Sequence, residues 1–183
     1  MGKVFKNYTI KTPKLNPLKS FKDELLSLSE NGKISLVCDH SACSAELVSK
    51  LDKRLKIYDM SEFIEKEMLN KLNIKPFNEN IGLYAVCSSK KCGFDVSLRK
   101  LAQICTKGKV YEHSQTHCCG FAGDKGFMNP KLNQSALENL REFFKGLKLE
   151  RFYSSSSTCE VGLSDATKEA WQHLIYLLDE LSD

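Results

Sequence analysis

No long apolar run occurs anywhere in these 183 residues. Met1 is followed by Gly-Lys-Val-Phe-Lys-Asn, which has no apolar core of the kind that marks a secretory signal. No stretch approaches the length of a membrane-spanning helix. Charged residues make up 27% of the chain and mean hydropathy is −0.34, which excludes a membrane protein. Charge of one sign is scarce too. The 27 Lys and Arg exceed the 23 Asp and Glu by only four, too few to argue for a nucleic-acid partner. The nucleotide patterns G-x-G-x-x-G and G-x-x-x-x-G-K-S/T are both missing.

Cysteine, by contrast, is plentiful. Eight residues, about 4% of the chain, exceed ordinary usage but fall below the roughly 8–10% of a disulfide scaffold. A chain of this length forms an ordinary hydrophobic core without staples. The expectation is therefore reduced thiols in the cytoplasm, where clustered cysteines mean metal or redox chemistry.

Residues 1–15 read as a linker or frayed start, with Lys3, Lys6, Lys11 and Lys14 mixed with Thr12-Pro13, and residues 16–183 as one domain. Asn16-Pro17 opens a helix with Leu18, Phe21, Leu25 and Leu28 on one face, and Asn31-Gly32 stops it. Short strands follow at 34–37, 55–58, 81–86, 110–111 and 151–153, separated by amphipathic helices. The last helix is expected from Ser164-Asp165 onward, with Trp171, Leu174, Ile175 and Leu178 at helical spacing. This alternation predicts an α/β fold: a parallel sheet of about five strands with flanking helices, after an N-terminal helix. Val37-Cys38-x4-Cys43 recurs as Val86-Cys87-x4-Cys92, each followed by a helix and a similar strand, so the sheet is built from two βαβ-like near-repeats.

A parallel sheet places Cys38, Cys43, Cys87, Cys92, Cys118, Cys119 and Cys159 beyond the carboxyl ends of strands, the rim where open α/β sheets bind ligands. Cys105 falls instead on an apolar helix face, as a small buried hydrophobe. Cys118 and Cys119 are adjacent, which suits a polynuclear cluster better than a single ion, since neighbouring thiolates can reach different iron atoms. Gly120, Gly123 and Gly126 let the following backbone approach closely, with N–H groups turned toward bound sulfur. His117 is expected to orient this loop. His40, His113 and His173 have no ligand spacing, the serines at 154–157 read as a site loop, and Lys90, Lys91 and Lys125 as solvated charges.

Cys87, then Cys118-Cys119-Gly120, then Cys159 resembles the CCG cysteine-rich domain shared by heterodisulfide reductases, glycolate oxidase iron-sulfur subunits and lactate-utilisation proteins. The chain is most similar to the C-terminal iron-sulfur region of bacterial FAD-linked D-lactate dehydrogenases. That resemblance rests on Asp39-His40-Ser41-Ala42-Cys43, Cys87-Ser88-Ser89-Lys90-Lys91 and the run 118–127. It continues through Pro130-Lys131-Leu132-Asn133 and the run 155–164, covering roughly residues 33 to 181. It implies a 4Fe-4S cluster, cubane or non-cubane, held by thiolates. The reductase pattern ends in C-x-x-C, whereas this chain has Ser156-Ser157-Thr158-Cys159. Cys43 could replace the missing ligand, giving Cys43, Cys87, Cys118, Cys119 and Cys159; Cys38 and Cys92 match no motif position.

The resemblance further implies an electron-transfer domain of an oxidoreductase acting on a D-2-hydroxy acid of the D-lactate or glycolate type. It would pass electrons from FAD on a flavoprotein domain or subunit, with a further iron-sulfur domain, toward a quinone or cytochrome acceptor. The chain has neither a flavin-binding segment nor a ferredoxin-type C-x2-C-x2-C-x3-C run, so it is not expected to be catalytic alone. It reads as a C-terminal fragment or small stand-alone subunit, cytoplasmic, and at the inner face of the membrane through its partners. A zinc-binding structural or docking module is the alternative. A thiol-disulfide redox module is weaker, because no C-x-x-C opens a helix.

Overall fold

Strands in this chain are short and pair only in parallel in the computed structural model, which describes residues 17–114, 118–121, 123 and 125–182. The predicted linker at 1–15, the cap at Asn16 and the loop residue His117 lie outside the described residues. Helix α1 (Pro17–Leu28) leads into β1 (Leu36–Cys38), α2 (Ser41–Lys50) and β2 (Ile57–Asp59). The chain then runs through α3 (Met60–Phe63), a π-helical turn (Ile64–Met68) and a 3-10 turn (Leu69–Lys71) to β3 (Ile81–Leu83). Helices α4 (Cys87–Cys92) and α5 (Asp95–Cys105) precede β4 (Val110–Glu112), and α6 (Lys125–Met128), α7 (Pro130–Ala136) and α8 (Glu138–Phe144) precede β5 (Arg151–Ser154). Helix α9 (Ser157–Thr167), β6 (Trp171–His173) and α10 (Leu174–Leu181) complete the order.

The α/β class and the two βαβ units are as the sequence predicts, but the sheet is smaller. The first unit forms a two-stranded sheet, β1-β2, and the second belongs to a four-stranded sheet in the order β4-β3-β5-β6. The two meet where the chain leaves β1 and β5: Ser41 donates its N–H to the Ser155 carbonyl at 3.2 Å.

Two expectations are corrected. The predicted last helix is a helix, a strand and a helix. Lys168 takes a left-handed conformation, φ 64°, and closes α9 on the Ser164 carbonyl. The Trp171 N–H then bonds Ser164 Oγ at 3.0 Å and its indole N–H bonds Thr167 Oγ1 at 2.9 Å, turning the chain into β6. Trp171, Leu174 and Leu178 are all buried, so their spacing reported burial on two successive elements. The second correction concerns α1, where Leu28 is 67% and Phe21 43% exposed while Leu26 is buried. This helix docks mainly through its C-terminal end. Asn31 and Gly32 have positive φ, and a Cβ on Gly32 would lie 1.9 Å from the Arg54 carbonyl oxygen.

The core forms on both faces of β3, which pairs with β4 on one edge and β5 on the other. Ile81, Leu83 and Ala85 pack with Leu98, Leu101 and Leu177 of α5 and α10. Tyr84 and Val86 point the other way, into a cluster with Leu140, Phe144, Phe152, Leu163 and Trp171. Gly82 leaves room on that second face, since a Cβ there would lie 2.5 Å from the Phe152 ring. Cys105 is fully buried in the first cluster, and burial pushes its thiol up to about 12. Among the described residues no helix is long and apolar enough to cross a membrane.

Leu98→Ala is expected to destabilise the fold by about 2–5 kcal/mol, whereas Leu28→Ala, at an exposed position, stays within about 0.5 kcal/mol; urea denaturation of the two variants measures both. His173 caps α10 by accepting the Ile175 N–H on Nδ1 at 3.1 Å, and burial holds its protonation below the usual imidazole range. An unfolded imidazole takes its proton near 6.5, so as pH falls the unfolded state binds more protons and stability present above that value is lost. His173→Asn keeps a capping acceptor, and its urea midpoint is expected to decline less than the parent's between about pH 7 and pH 5.

Candidate functional site

Three stretches of chain deliver thiols to one place. The first follows β3. Tyr84 continues the strand, its N–H on the Tyr153 carbonyl at 2.9 Å, and Cys87 opens α4. The second comes after β4, where Cys118 is exposed and Cys119 only 2% exposed. The third follows β5 through Ser154, Ser155 and Ser156, all buried, to Cys159 in the first turn of α9.

The Cys119 thiol donates to Cys159 Sγ at 3.1 Å, and Cys87 and Cys118 form a second interacting pair. Both pairs lie within electrostatic reach of the Tyr84 hydroxyl, whose ionisation is opposed by burial and by all four sulfurs. Cys159 is pushed well up by its contact with Cys119 and by burial, while the Ser156 hydroxyl acts in the opposite direction. Cys118 is raised by burial, against which the Gly120 N–H, 3.5 Å from its sulfur, favours the thiolate. Cys118 and Cys159 thus resist ionising beside their neighbours, and a bound cation would favour their thiolates. Among the described residues no group of three or more His, Cys, Asp or Glu surrounds a single ion position.

The backbone at the paired cysteines is fixed from below. Gly120 has φ +71°, in the region that favours glycine, and a Cβ there would lie 2.9 Å from the Leu132 carbonyl oxygen. Asn133, 1% exposed, donates its Nδ2 hydrogen to the Cys119 carbonyl at 2.7 Å. The Phe121 ring lies where Cβ atoms on Gly126 and Gly162 would sit, 2.2 and 2.7 Å away. The loop is thereby wedged between α7 and α9.

The expected residues divide accordingly. Cys87, Cys118, Cys119 and Cys159 come together. Cys43 is exposed in the first turn of α2, raised by burial and by the charges of Cys38 and Asp39 rather than by the four. Of the three glycines, Gly120 aims its N–H at a cysteine sulfur, but the Gly126 N–H goes to the Phe121 carbonyl at 2.7 Å, so its role is packing. Gly123 has φ +72° and open space around it. Cys92 ends α4, exposed, and Cys38 donates to the His40 carbonyl at 3.7 Å. His113 packs edge-on against Phe143.

Sequence reasoning missed Asn133, although a polar residue four before buried Leu137 on one helix face was a usable signal. It missed Tyr84 and Glu160 as well. Glu160 accepts the Ser156 N–H at 3.1 Å on Oε1, and burial raises its carboxyl to about 7. Nothing in a linear reading separates such a buried glutamate from a surface one.

Comparison with family models finds none that matches this chain, and comparison with curated proteins finds no match either.

Asn133→Ala removes the donor from a buried carbonyl, which is expected to destabilise the fold by about 1–3 kcal/mol and to loosen the paired cysteines. Timed thiol labelling with mass-spectrometric mapping tests this: the parent should label Cys43, Cys92 and Cys118 quickly and Cys105 and Cys119 slowly. In Asn133→Ala, Cys119 should join the fast set while Cys105 stays slow.

Proposed function

We propose that this chain is an iron-sulfur electron-transfer domain of the CCG type, part of an oxidoreductase rather than an enzyme on its own. The observation that carries the reading is the gathering of Cys87, Cys118, Cys119 and Cys159, from three separate stretches of chain, around buried Tyr84. Those four would hold the cluster, which supplies a one-electron carrier when bound. Cys43 is a ligand only if α2 shifts, and is left out of the proposed set. The chain's own contribution is positional and electrostatic. Asn133 and the seated Phe121 hold the Cys118-Cys119 backbone. The Gly120 N–H stabilises charge on Cys118, and low exposure at Cys119 keeps water from that side.

In the larger oxidoreductase the partner is a flavoprotein domain or subunit in which FAD oxidises a D-2-hydroxy acid of the D-lactate or glycolate type. A further iron-sulfur domain and a quinone or cytochrome acceptor complete the route, with the assembly in the cytoplasm at the inner face of the membrane. The ordered motifs from Asp39 to Ser164 support this part of the reading.

Anaerobic reconstitution with iron and sulfide, followed by metal and acid-labile sulfide analysis and EPR of the reduced protein, tests it. About one cluster per chain is expected, lost in Cys118→Ser and in Cys159→Ser and kept in Cys92→Ser. Substoichiometric iron that is indifferent to both serine variants would overturn the proposal. Stoichiometric zinc on anaerobically purified protein that iron does not displace would replace it with a structural zinc module.

A further inference from the structure

A cavity of about 250 Å³ opens where the chain leaves β1, β2, β5 and β6. Asp39 and His40 follow β1, Met60 follows β2, Glu160 lies in the first turns of α9 after β5, and His173 ends β6. Both sheets thus open onto it at their carboxyl edges, where α/β folds take ligands. None of the four gathered thiols lines it.

The lining carries carboxyl groups and neither Lys nor Arg. Asp39 and Glu160 take part in none of the ion pairs among the described residues. Directly before Met60, Asp59 is 2% exposed and is satisfied by neutral donors alone: Ser41 Oγ at 2.8 Å, Ser44 Oγ at 3.0 Å and the Ser61 N–H at 3.1 Å. His173 adds no positive charge, since Nδ1 accepts the Ile175 N–H and burial disfavours the imidazolium. His40 is engaged on one side only. Its Nε2 is 3.1 Å from Ser156 Oγ, while Nδ1 is sealed from solvent without a partner in the protein.

Helices α2, α9 and α10 all begin at this edge, and free helix N-termini would favour an anion. At each of them one N–H is already taken. The Ser41 N–H is on the Ser155 carbonyl, the Ser156 N–H on Glu160 and the Ile175 N–H on His173. What the lining offers a ligand is the carboxyls of Asp39 and Glu160, beside the hydroxyls of Ser157 and Tyr176. An ammonium group brings three donors and no acceptor, which matches that set. Met60, Ile175 and the ring of Tyr176 supply an apolar wall, and the volume equals that of about eight waters in the liquid.

We propose that this cavity binds a small organic cation, a protonated primary amine that donates to Asp39 and Glu160 and lays its short apolar body along Met60, Ile175 and Tyr176. Amine binding there does not require the cysteines to hold metal, and the titration below does not read metal.

The full-length chain is titrated at neutral pH with n-butylamine, and separately with n-butanol and butyrate as neutral and anionic matches of the same size, following backbone amide shifts by NMR. Butylammonium is expected to saturate shifts at His40, Glu160 and His173, about tenfold or more tighter than either match. Glu160→Gln, which keeps the acceptor for Ser156, and Asp39→Asn, at an exposed position, are each expected to weaken it several-fold. Butyrate binding as well as butylamine, no saturable shift with butylamine, or unchanged affinity in both variants would each overturn the proposal. Asp39→Asn carries the test alone if Glu160→Gln fails to fold.

Discussion

Everything in the larger sheet depends on β3 being buried on both faces. A central parallel strand cannot turn a polar side to water, so alternate residues must satisfy two separate cores. Ile81, Leu83 and Ala85 do so against α5 and α10, and Tyr84 and Val86 against α8, α9 and Trp171. The second core is also the floor of the cysteine site, because Cys119 and Phe121 belong to it. Cys119 is therefore part of that core, and Cys159 packs against it. Gly82 matters for the same reason: it lets the Phe152 ring lie close against the strand that the site is built upon.

Attachment of the paired cysteines is polar as well as apolar. A buried side-chain amide bonded to a backbone carbonyl adds only modest net stability, but losing it strands a desolvated carbonyl, and that asymmetry makes the contact specific. Asn133 makes this bond to Cys119, and its Cα and Nδ2 also lie where Cβ atoms on Gly120 and Gly162 would come, 3.2 and 2.6 Å away. One buried amide thus fixes a loop from α7 and excludes side chains at two glycines. Such a network holds a backbone shape even where the neighbouring side chains are exposed, as Cys118, Phe127 and Met128 are.

The parts of this arrangement legible in the sequence are those with a period or a repeated spacing. Alternating short strands and amphipathic helices give the α/β class, and the paired Cys-x4-Cys segments give the two βαβ units. Strand-end placement brings Cys87, Cys118, Cys119 and Cys159 to one rim without coordinates. Three things escaped for physical reasons. Trp171, Leu174 and Leu178 hold helical spacing because all three are buried, and the left-handed turn at Lys168 that separates α9 from β6 falls on a residue that rarely adopts it. Leu28 continues the apolar pattern of α1 into solvent, which no local rule forbids. Glu160 acts through burial and leaves no local signature, whereas the place of Asn133 four residues before buried Leu137 marks its burial but not its partner, the Cys119 carbonyl.

The two sites at the carboxyl edge are nevertheless one mechanical unit, joined at Ser156. This serine is fully buried and stands at the N-cap of α9. Its N–H serves Glu160 on the cavity side, and its hydroxyl lies against Cys159 on the thiol side and 3.1 Å from His40 Nε2. A hydroxyl has one hydrogen and two lone pairs. If that hydrogen steadies charge on Cys159, the oxygen can only accept from His40, which places the imidazole proton on Nε2. Adjacent residues on a helix point about 100° apart, so Cys159 and Glu160 face different sites while sharing one turn of backbone. Serine is the small side chain that meets both demands at this position. Alanine would leave His40 without its acceptor, and threonine would add a methyl group to a site with no exposed surface.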